Sequence, residues 1–177
     1  MPATPFTAAP APRRILAAVL TLGVLCGATT VMADTTDMVR DGIRACFANK
    51  EKVRAAKKPL QALGWQSEGI FGDMWFFQTK AKDGIATIGA ASWGSNACGF
   101  GVKKMTAAQS TALAAGMAKE LMGKSAVRLS DADAKDMDAV AVWVLERKTT
   151  ADAIVVAKEV NYPNYYRGSI IYVVFIE

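Results

Sequence analysis

The C-terminal run from Ser169 to Ile176 constrains the fold of this chain most, because both of its alternating faces are apolar. One alternating set holds Ile170, Tyr172 and Val174, and the other holds Ile171, Val173 and Phe175. Successive strand residues point to opposite sides of a sheet, so a strand of this kind must be covered on both faces. Most of the run Val140–Arg147 is also apolar. The sequence therefore predicts a sheet with these strands near its middle.

Four further segments have the composition of strands. They are rich in β-branched, aromatic and glycine residues, and they span Met74–Lys80, Ile85–Ala91, Ala97–Lys103 and Ala153–Val160. Lys82-Asp83-Gly84 is typical of a hairpin turn between the first two of these strands. The glycines of "GFGVKK" lack the dinucleotide-loop pattern and indicate close packing or a bulge in a strand.

Helical periodicity occurs in three places. The first helix has Val39, Ile43, Cys46 and Phe47 on one side, and the second has Val53, Ala56, Leu60 and Leu63, with an interruption at Pro59. Thr106 and Gln109 predict a capping box at the start of a third helix, which Gly123 would end. The predicted fold class is α+β, with an antiparallel sheet of about six strands and helices packed on it. The predicted element order is helices, three strands, helix, three strands.

The N-terminal segment has the three parts of a secretory signal peptide. Arg13 and Arg14 precede an apolar run, and "VMA" before Asp34 fits the small-residue cleavage pattern. We expect residues 1–33 to be a signal peptide and residues 34–177 to form a single α+β domain, periplasmic or secreted, with no integral membrane span after cleavage. The alternative is an uncleaved anchor over Ile15–Ala33, although its apolar core is short for a span.

Cleavage would leave two cysteines, Cys46 and Cys98, because Cys26 lies in the leader. An even pair in an oxidising compartment predicts one disulfide between the first helix and the third predicted strand, and the alternative is two separate buried thiols. Loss of Arg13 and Arg14 would lower the formal net charge from +5 to +3. So mild a charge gives no reason to expect a nucleic acid partner.

The composition narrows the catalytic options. There is no histidine, so Ser–His and Cys–His nucleophile pairs are excluded, as is the commonest transition-metal ligand. Asp131, Asp133, Asp136 and Asp138 crowd one segment but fail the EF-hand pattern, which favours a solvated loop or a short helix capped by Ser130. We expect no enzyme activity, no metal and no cofactor.

Two groups of residues are candidates for binding. The stretch "NYPNYYRG" between the last two predicted strands carries Tyr162, Tyr165, Tyr166 and Arg167. Tyrosine and arginine are typical of recognition surfaces, and the alternative is that the tyrosines pack against the sheet. The second group is a basic stripe on the predicted second helix, formed by Lys50, Arg54, Lys57 and Lys58. Its partner would be acidic, and the alternative is an ordinary exposed helix face.

Together these features favour a small, exported, disulfide-stapled protein that binds a protein or envelope component without catalysis. An inhibitor, an immunity-type protein and an envelope accessory factor all fit. A first alternative is a carrier of a small apolar ligand held between sheet and helices. A second is a carboxylate-based hydrolase, which needs two carboxylates facing one cleft, whereas Glu146 and Glu159 lie at strand ends. The oligomeric state is left open by the sequence.

Overall fold

The computed structural model describes residues 30–90 and 96–176. Its helices are α1 (Thr30–Ala48), a 3₁₀ helix (Lys50–Ala56), α2 (Lys57–Ala62), α3 (Ala107–Leu121), a 3₁₀ turn (Gly123–Ser125) and α4 (Asp131–Asp136). Most of the predicted leader, and residues 91–95 between the second and third predicted strands, lie outside these residues. None of the helices in this part of the chain combines the length and hydrophobicity that a bilayer crossing requires.

Eight strands form one antiparallel sheet, in the order β1-β2-β3-β4-β10-β7-β6-β5. The bounds are β1 Gln66–Phe71, β2 Met74–Gln78, β3 Gly84–Ala90, β4 Asn96–Val102, β5 Val127–Arg128, β6 Ala139–Glu146, β7 Ala151–Ala157 and β10 Ile171–Ile176. Two short strands, β8 (Val160–Tyr162) and β9 (Tyr166–Gly168), form a separate hairpin. Since β4 pairs with β10, the N-terminal and C-terminal halves meet in the middle of the sheet.

The predicted α+β class and antiparallel sheet are confirmed, but the count of about six strands is wrong. The two extra strands, β1 and β5, are the outermost ones, and all of their residues are exposed. A strand without a buried face carries no alternating apolar pattern, so sequence periodicity does not reveal it. The stretch predicted as a plain turn contains the β8–β9 hairpin, so the predicted element order fits only approximately.

The helices begin and end for reasons visible in the sequence. Thr106 and Gln109 form the predicted capping box of α3. Pro59 lies in the first turn of α2, which is a new short helix and not a kinked continuation. Gly64, at φ +94°, follows the end of α2 in the left-handed conformation. Ser130 caps the short helix α4, as the sequence predicts.

The main core lies between one face of the sheet and the helices α1, α2 and α3 with the first 3₁₀ helix. Its largest members are buried side chains from both layers: Val39, Ile43, Leu60, Trp65, Phe77, Ile88, Phe100, Met117 and Ile154. Cys46 of α1 and Cys98 of β4 form the predicted disulfide across this core, with Cα atoms 6.3 Å apart. The bond ties the first helix to the centre of the sheet.

The opposite face of the sheet is covered in two parts. Helix α4 packs Ala134 over β6 and β7, where Val142 and Val155 are buried. The β8–β9 hairpin covers β2, β3 and β4, where Phe76 and Ile85 pack with the hairpin residue Tyr166. Strand β10 is therefore covered on both faces, which confirms the prediction from its sequence.

Candidate functional site

The β8–β9 hairpin is built from the tyrosine-rich stretch. Pro163 and Asn164 are the central residues of its turn, and Asn164 has φ +68°. The Tyr165 amide donates a hydrogen bond of 3.0 Å to the Tyr162 carbonyl oxygen. Proline followed by a residue with positive φ is the pattern of a type II turn. The turn makes Tyr162 and Tyr166 cross-strand neighbours.

Tyr166 anchors this hairpin on the sheet. Its side chain is 3 % exposed. Its hydroxyl donates a hydrogen bond to the carbonyl oxygen of Ser169 at 2.7 Å, with the Val102 carbonyl oxygen also at 3.3 Å. Burial raises the pKa of the Tyr166 phenol to about 12. Tyr166 is one of the candidate binding residues from the sequence, and its burial under the hairpin favours the alternative that this tyrosine packs against the sheet.

The glycines of β4 make this packing geometrically feasible. A β-carbon at Gly101 would lie 2.6 Å from the Tyr166 hydroxyl oxygen, and one at Gly99 would lie 2.7 Å from the Tyr172 ring. Real side chains do not approach so closely, so only glycine permits both rings to rest on β4. The predicted close packing of the "GFGV" glycines is confirmed. Burial, followed by the neighbouring Tyr162 phenol, raises the pKa of Tyr172 well above its usual value.

Unlike the buried Tyr166, Tyr162 and Tyr165 line a groove between the hairpin and the β1–β2 edge of the sheet. The groove has a volume of about 300 Å³. The residues that line it are Glu68, Gly69, Ile70, Phe71, Phe76, Tyr162, Pro163, Asn164 and Tyr165. Tyr165 is 41 % exposed, while Tyr162 is half-buried and shares a hydrogen bond of 2.9 Å with the hydroxyl of Tyr172. We call this surface the aromatic groove.

Phe76 is the central ring of the aromatic groove and is nearly buried. Phe71 and Tyr162 stand almost perpendicular to it, at interplanar angles of 88° and 85° and with centroids 6.3 Å and 5.1 Å from it. Tyr165 lies 5.9 Å away and is tilted by 35°. Edge-to-face contacts of this kind favour the observed arrangement. The four rings all line the hollow.

The outer wall of the aromatic groove is strongly exposed. Ile70 is 58 % and Phe71 is 76 % exposed, and both lie on the edge strand β1. Their position follows from a two-residue turn at Gly72-Asp73, in which Gly72 has φ +57°. Contiguous exposed apolar side chains beside a hollow are a common feature of interaction surfaces.

A shallower hollow lies beside the hairpin and shares Tyr162, Asn164 and Tyr165 with the aromatic groove. Lys103 and Arg167 are the basic residues that line this second hollow. The Arg167 guanidinium donates a hydrogen bond of 2.6 Å to the Glu159 carboxylate, which raises the pKa of Arg167. Arg167 therefore lies beside the groove, as the sequence suggests, but its charge is locally balanced.

The basic stripe is not a single helical face. Residues 50–56 form a 3₁₀ helix with a non-helical break at Lys52, and α2 begins at Lys57. The α-helical spacing of about 100° per residue, which would align these four side chains on one face, therefore does not apply to them. The Lys57 ammonium lies 3.4 Å from the centroid of the Trp75 ring. Arg54 and Lys58 are exposed, so binding by this group stays a prediction.

Lys50, the remaining member of that stripe, belongs to an ion cluster. Its Nζ lies 3.0 Å from Oδ2 of Asp152, and Nη2 of Arg147 lies 3.0 Å from the same oxygen. Asp152 is buried, so the two cations compensate its charge. The cluster joins the 3₁₀ helix to β7 and the end of β6, and we interpret it as structural.

Sequence reasoning missed half of the aromatic groove. It identified Tyr162 and Tyr165 but not Glu68, Ile70, Phe71 and Phe76, which lie about 90 positions earlier in the chain. The apolar pair of "GIFGD" beside a glycine turn is the one local signal that was available. Within the described residues, no group of acidic or cysteine side chains is placed to hold a metal ion.

Comparison with known proteins gives no assignment. No protein-family model, no curated protein and no solved structure matches this chain.

Proposed function

We propose that the protein is a non-catalytic binding protein and that the aromatic groove is its recognition surface. The observation that carries this proposal is the pairing of strongly exposed Phe71 and Ile70 with the hollow around Phe76. Recognition sites combine large apolar side chains with a few polar groups in a concave surface. Glu68 and Asn164 are the polar side chains in this one.

The rigidity of the groove supports the same proposal. The hairpin is fixed by the buried Tyr166 ring and by a hydrogen bond of 3.2 Å that Gln78 Nε2 donates to the Tyr165 carbonyl oxygen. Aromatic side chains on a fixed backbone lose little conformational entropy on binding. A groove whose hairpin wall is held by these contacts suits recognition better than a hydrophobic loop without such contacts.

Export to the periplasm or the exterior is part of this proposal. The Cys46–Cys98 disulfide supports it, because structural disulfides persist in oxidising compartments. So does the leader sequence, whose cleavage after Ala33 would remove the first turn of α1 and leave Val39, Ile43 and Cys46 in place. Intact-mass measurement of exported protein tests this part, and retention of Met1–Ala33 would contradict it.

The two alternatives from the sequence have less support. A carrier with its ligand between sheet and helices needs a cavity there, but that layer is filled by buried side chains such as Phe77, Phe100 and Met117. A carboxylate-based hydrolase needs two facing carboxylates. Among the described residues that line the aromatic groove, Glu68 is the single carboxylate. Glu159 is paired with Arg167 beside it.

Site-specific photocrosslinking in the producing cells tests the proposal. A photoreactive amino acid replaces Tyr165 in one strain and Met137 in another. These two positions are matched in exposure, at 41 % and 45 %, but Met137 lies at the end of α4, away from the groove. We expect a defined crosslinked product from position 165 that is absent from position 137.

Two outcomes would contradict the proposed function. One is the same pattern of products from both positions, and the other is no product from position 165 although the protein is folded and exported. A third strain, with the photoreactive group at 165 and Phe71→Ala, tests whether the contact needs the wall of the groove that Phe71 forms. Loss of the product in this strain shows that the intact groove, and not the loop alone, makes the contact.

A further inference from the structure

Glu68 is the carboxylate among the described residues that line the aromatic groove. It lines the same hollow as the four rings, yet it forms no ion pair with any of the described residues. We propose that the aromatic groove binds an organic cation of the alkylated ammonium class, with the rings as its walls and Glu68 as its counter-charge. This inference rests on the proposed function and names the ligand class for the same groove.

The ring arrangement suits a cation. Aromatic faces carry partial negative charge, and cations bind within about 6 Å of ring centroids, most effectively where several rings surround them. Phe71, Tyr162 and Tyr165 each contact the Phe76 ring, and all four rings line the hollow. A fully alkylated, quaternary ammonium group suits such a site in particular, because its methyl groups contact the rings and it has no N–H group with which to donate a hydrogen bond.

On the opposite face of β2, an aromatic ring already has a cation from the chain itself as its cation–π partner. Trp75 is adjacent to Phe76 in β2 and points to the helical side of the sheet, where the Lys57 ammonium covers it. The other cation–π contact among the described residues joins Lys50 to Phe47, also on the helical side. The rings of the aromatic groove receive no cation from the described part of the chain.

The surrounding charges leave the groove suitable for a positive ligand. Lys103 and Arg167 lie in the adjacent hollow, on the far side of Tyr162 and Tyr165. Glu159 compensates Arg167 at 2.6 Å, so among the described residues that line this hollow Lys103 is the cation without an ion pair. Water screens both charges, and Glu68 is the closer one because it lines the groove itself. The volume of about 300 Å³ lies at the small end of ligand sites, which favours a compact cationic group.

Titrations with two probes of nearly the same shape test the charge requirement. Choline carries a trimethylammonium group, and 3,3-dimethyl-1-butanol is its neutral carbon analogue. Both are added to the mature, disulfide-bonded protein while the chemical shifts of the aromatic ring protons are followed by NMR. We expect choline to bind roughly five- to thirtyfold more tightly than the neutral analogue, with shifts centred on the groove rings.

Three variants separate charge from shape. Glu68→Gln should weaken choline binding by about two- to fivefold and leave the neutral analogue unaffected. Tyr165→Leu keeps an apolar side chain but removes a ring, and it should also weaken choline selectively. Glu146→Gln removes an exposed carboxylate at the end of β6, on the opposite half of the sheet, and should change neither affinity.

The outcomes distinguish this inference from the proposed function. Equal affinity for the two probes, or no effect of Glu68→Gln, would overturn the cation assignment while leaving an apolar recognition groove. Shifts spread over surfaces away from the groove would overturn it as well. If choline causes no shift but position 165 still yields its crosslinked product, the cation assignment fails and the proposed function stands.

Discussion

The ring of Tyr166 rests on Gly101, so closely that a β-carbon at Gly101 would lie 2.6 Å from the Tyr166 hydroxyl oxygen and 2.7 Å from Cζ. This contact places the β8–β9 hairpin on the sheet and thereby sets the position of Tyr162 and Tyr165 opposite β1 and β2. Adjacent tyrosines in the sequence consequently have different roles. Tyr166 holds the hairpin in place, and Tyr165 remains exposed at the aromatic groove.

The first prediction separates these two tyrosines. Tyr166→Ala should lower the free energy of unfolding by about 3–5 kcal/mol, because it empties a buried ring site over β4. Tyr165→Ala changes a partly exposed side chain and should cost no more than about 0.5 kcal/mol. Urea denaturation of both variants measures the difference. Equal losses of stability would show that the hairpin is not anchored through Tyr166.

A second prediction concerns the glycine under that ring. Gly101→Ala should destabilise the protein by about 1–3 kcal/mol, because the added methyl group displaces the Tyr166 ring. Gly116→Ala is the matched control: Gly116 lies in α3 and its β-carbon would meet nothing within 4 Å. Alanine there should stabilise the helix by up to about 1 kcal/mol. Thermal unfolding of the two variants should shift in opposite directions, and a stable Gly101→Ala protein would refute the close contact.

The third prediction is a loss of stability in alkali. The pKa of Tyr166 is raised by burial from 10 to about 12, so between these values the unfolded chain loses the phenolic proton and the folded protein keeps it. Stability from this group is fully present below pH 10 and is lost as the pH rises towards 12. The loss should be roughly 2–3 kcal/mol, and Tyr172 acts in the same direction.

Tyr166→Phe is the control for that pH dependence. The phenylalanine ring keeps the packing but has no proton to lose, so the decline of stability from pH 10 to pH 12 should be shallower than in the unmodified protein. Urea denaturation at several pH values in this range provides the measurement. Parallel declines in the two proteins would mean that Tyr166 titrates normally.

A fourth prediction concerns the disulfide. Non-reducing peptide mapping should find Cys46 joined to Cys98, which are 52 positions apart. In the chain-entropy treatment, a loop of this size corresponds to about 4 kcal/mol of stability. The double change to alanine should lower the midpoint of denaturation accordingly, with cavity formation adding to the loss. Alkylation of both thiols in native exported protein would contradict the bond.

The last prediction tests the ion cluster around Asp152. Asp152→Ala leaves Lys50 and Arg147 facing each other without their shared carboxylate, and it should cost about 2–4 kcal/mol. Asp131→Ala also breaks an ion pair, with Arg128, but that carboxylate is at the surface, and the cost should be at most about 1 kcal/mol. Denaturation of the two variants side by side checks the difference. Similar small effects would show that burial of Asp152 does not matter.

The sequence by itself determined the elements that have a strong pattern. The α+β class, the central position of Ser169–Ile176, the capping box at Thr106 and the Cys46–Cys98 pair all follow from local rules of periodicity, capping and cysteine number. These rules work because burial of one or both faces of an element leaves a repeat in the order of its own residues.

Only the tertiary structure decided which tyrosine is buried and what faces the groove. Residues 161–168 have no periodicity that distinguishes Tyr165 from Tyr166, and the difference comes from Gly101, which lies far away in the chain. The exposed strand β1 likewise lacks a buried face and so leaves no pattern to detect. The groove exists because sheet pairing and a tyrosine resting on glycine bring Phe71 and Phe76 opposite Tyr162 and Tyr165, and contacts between distant segments are not encoded in the local order of either one.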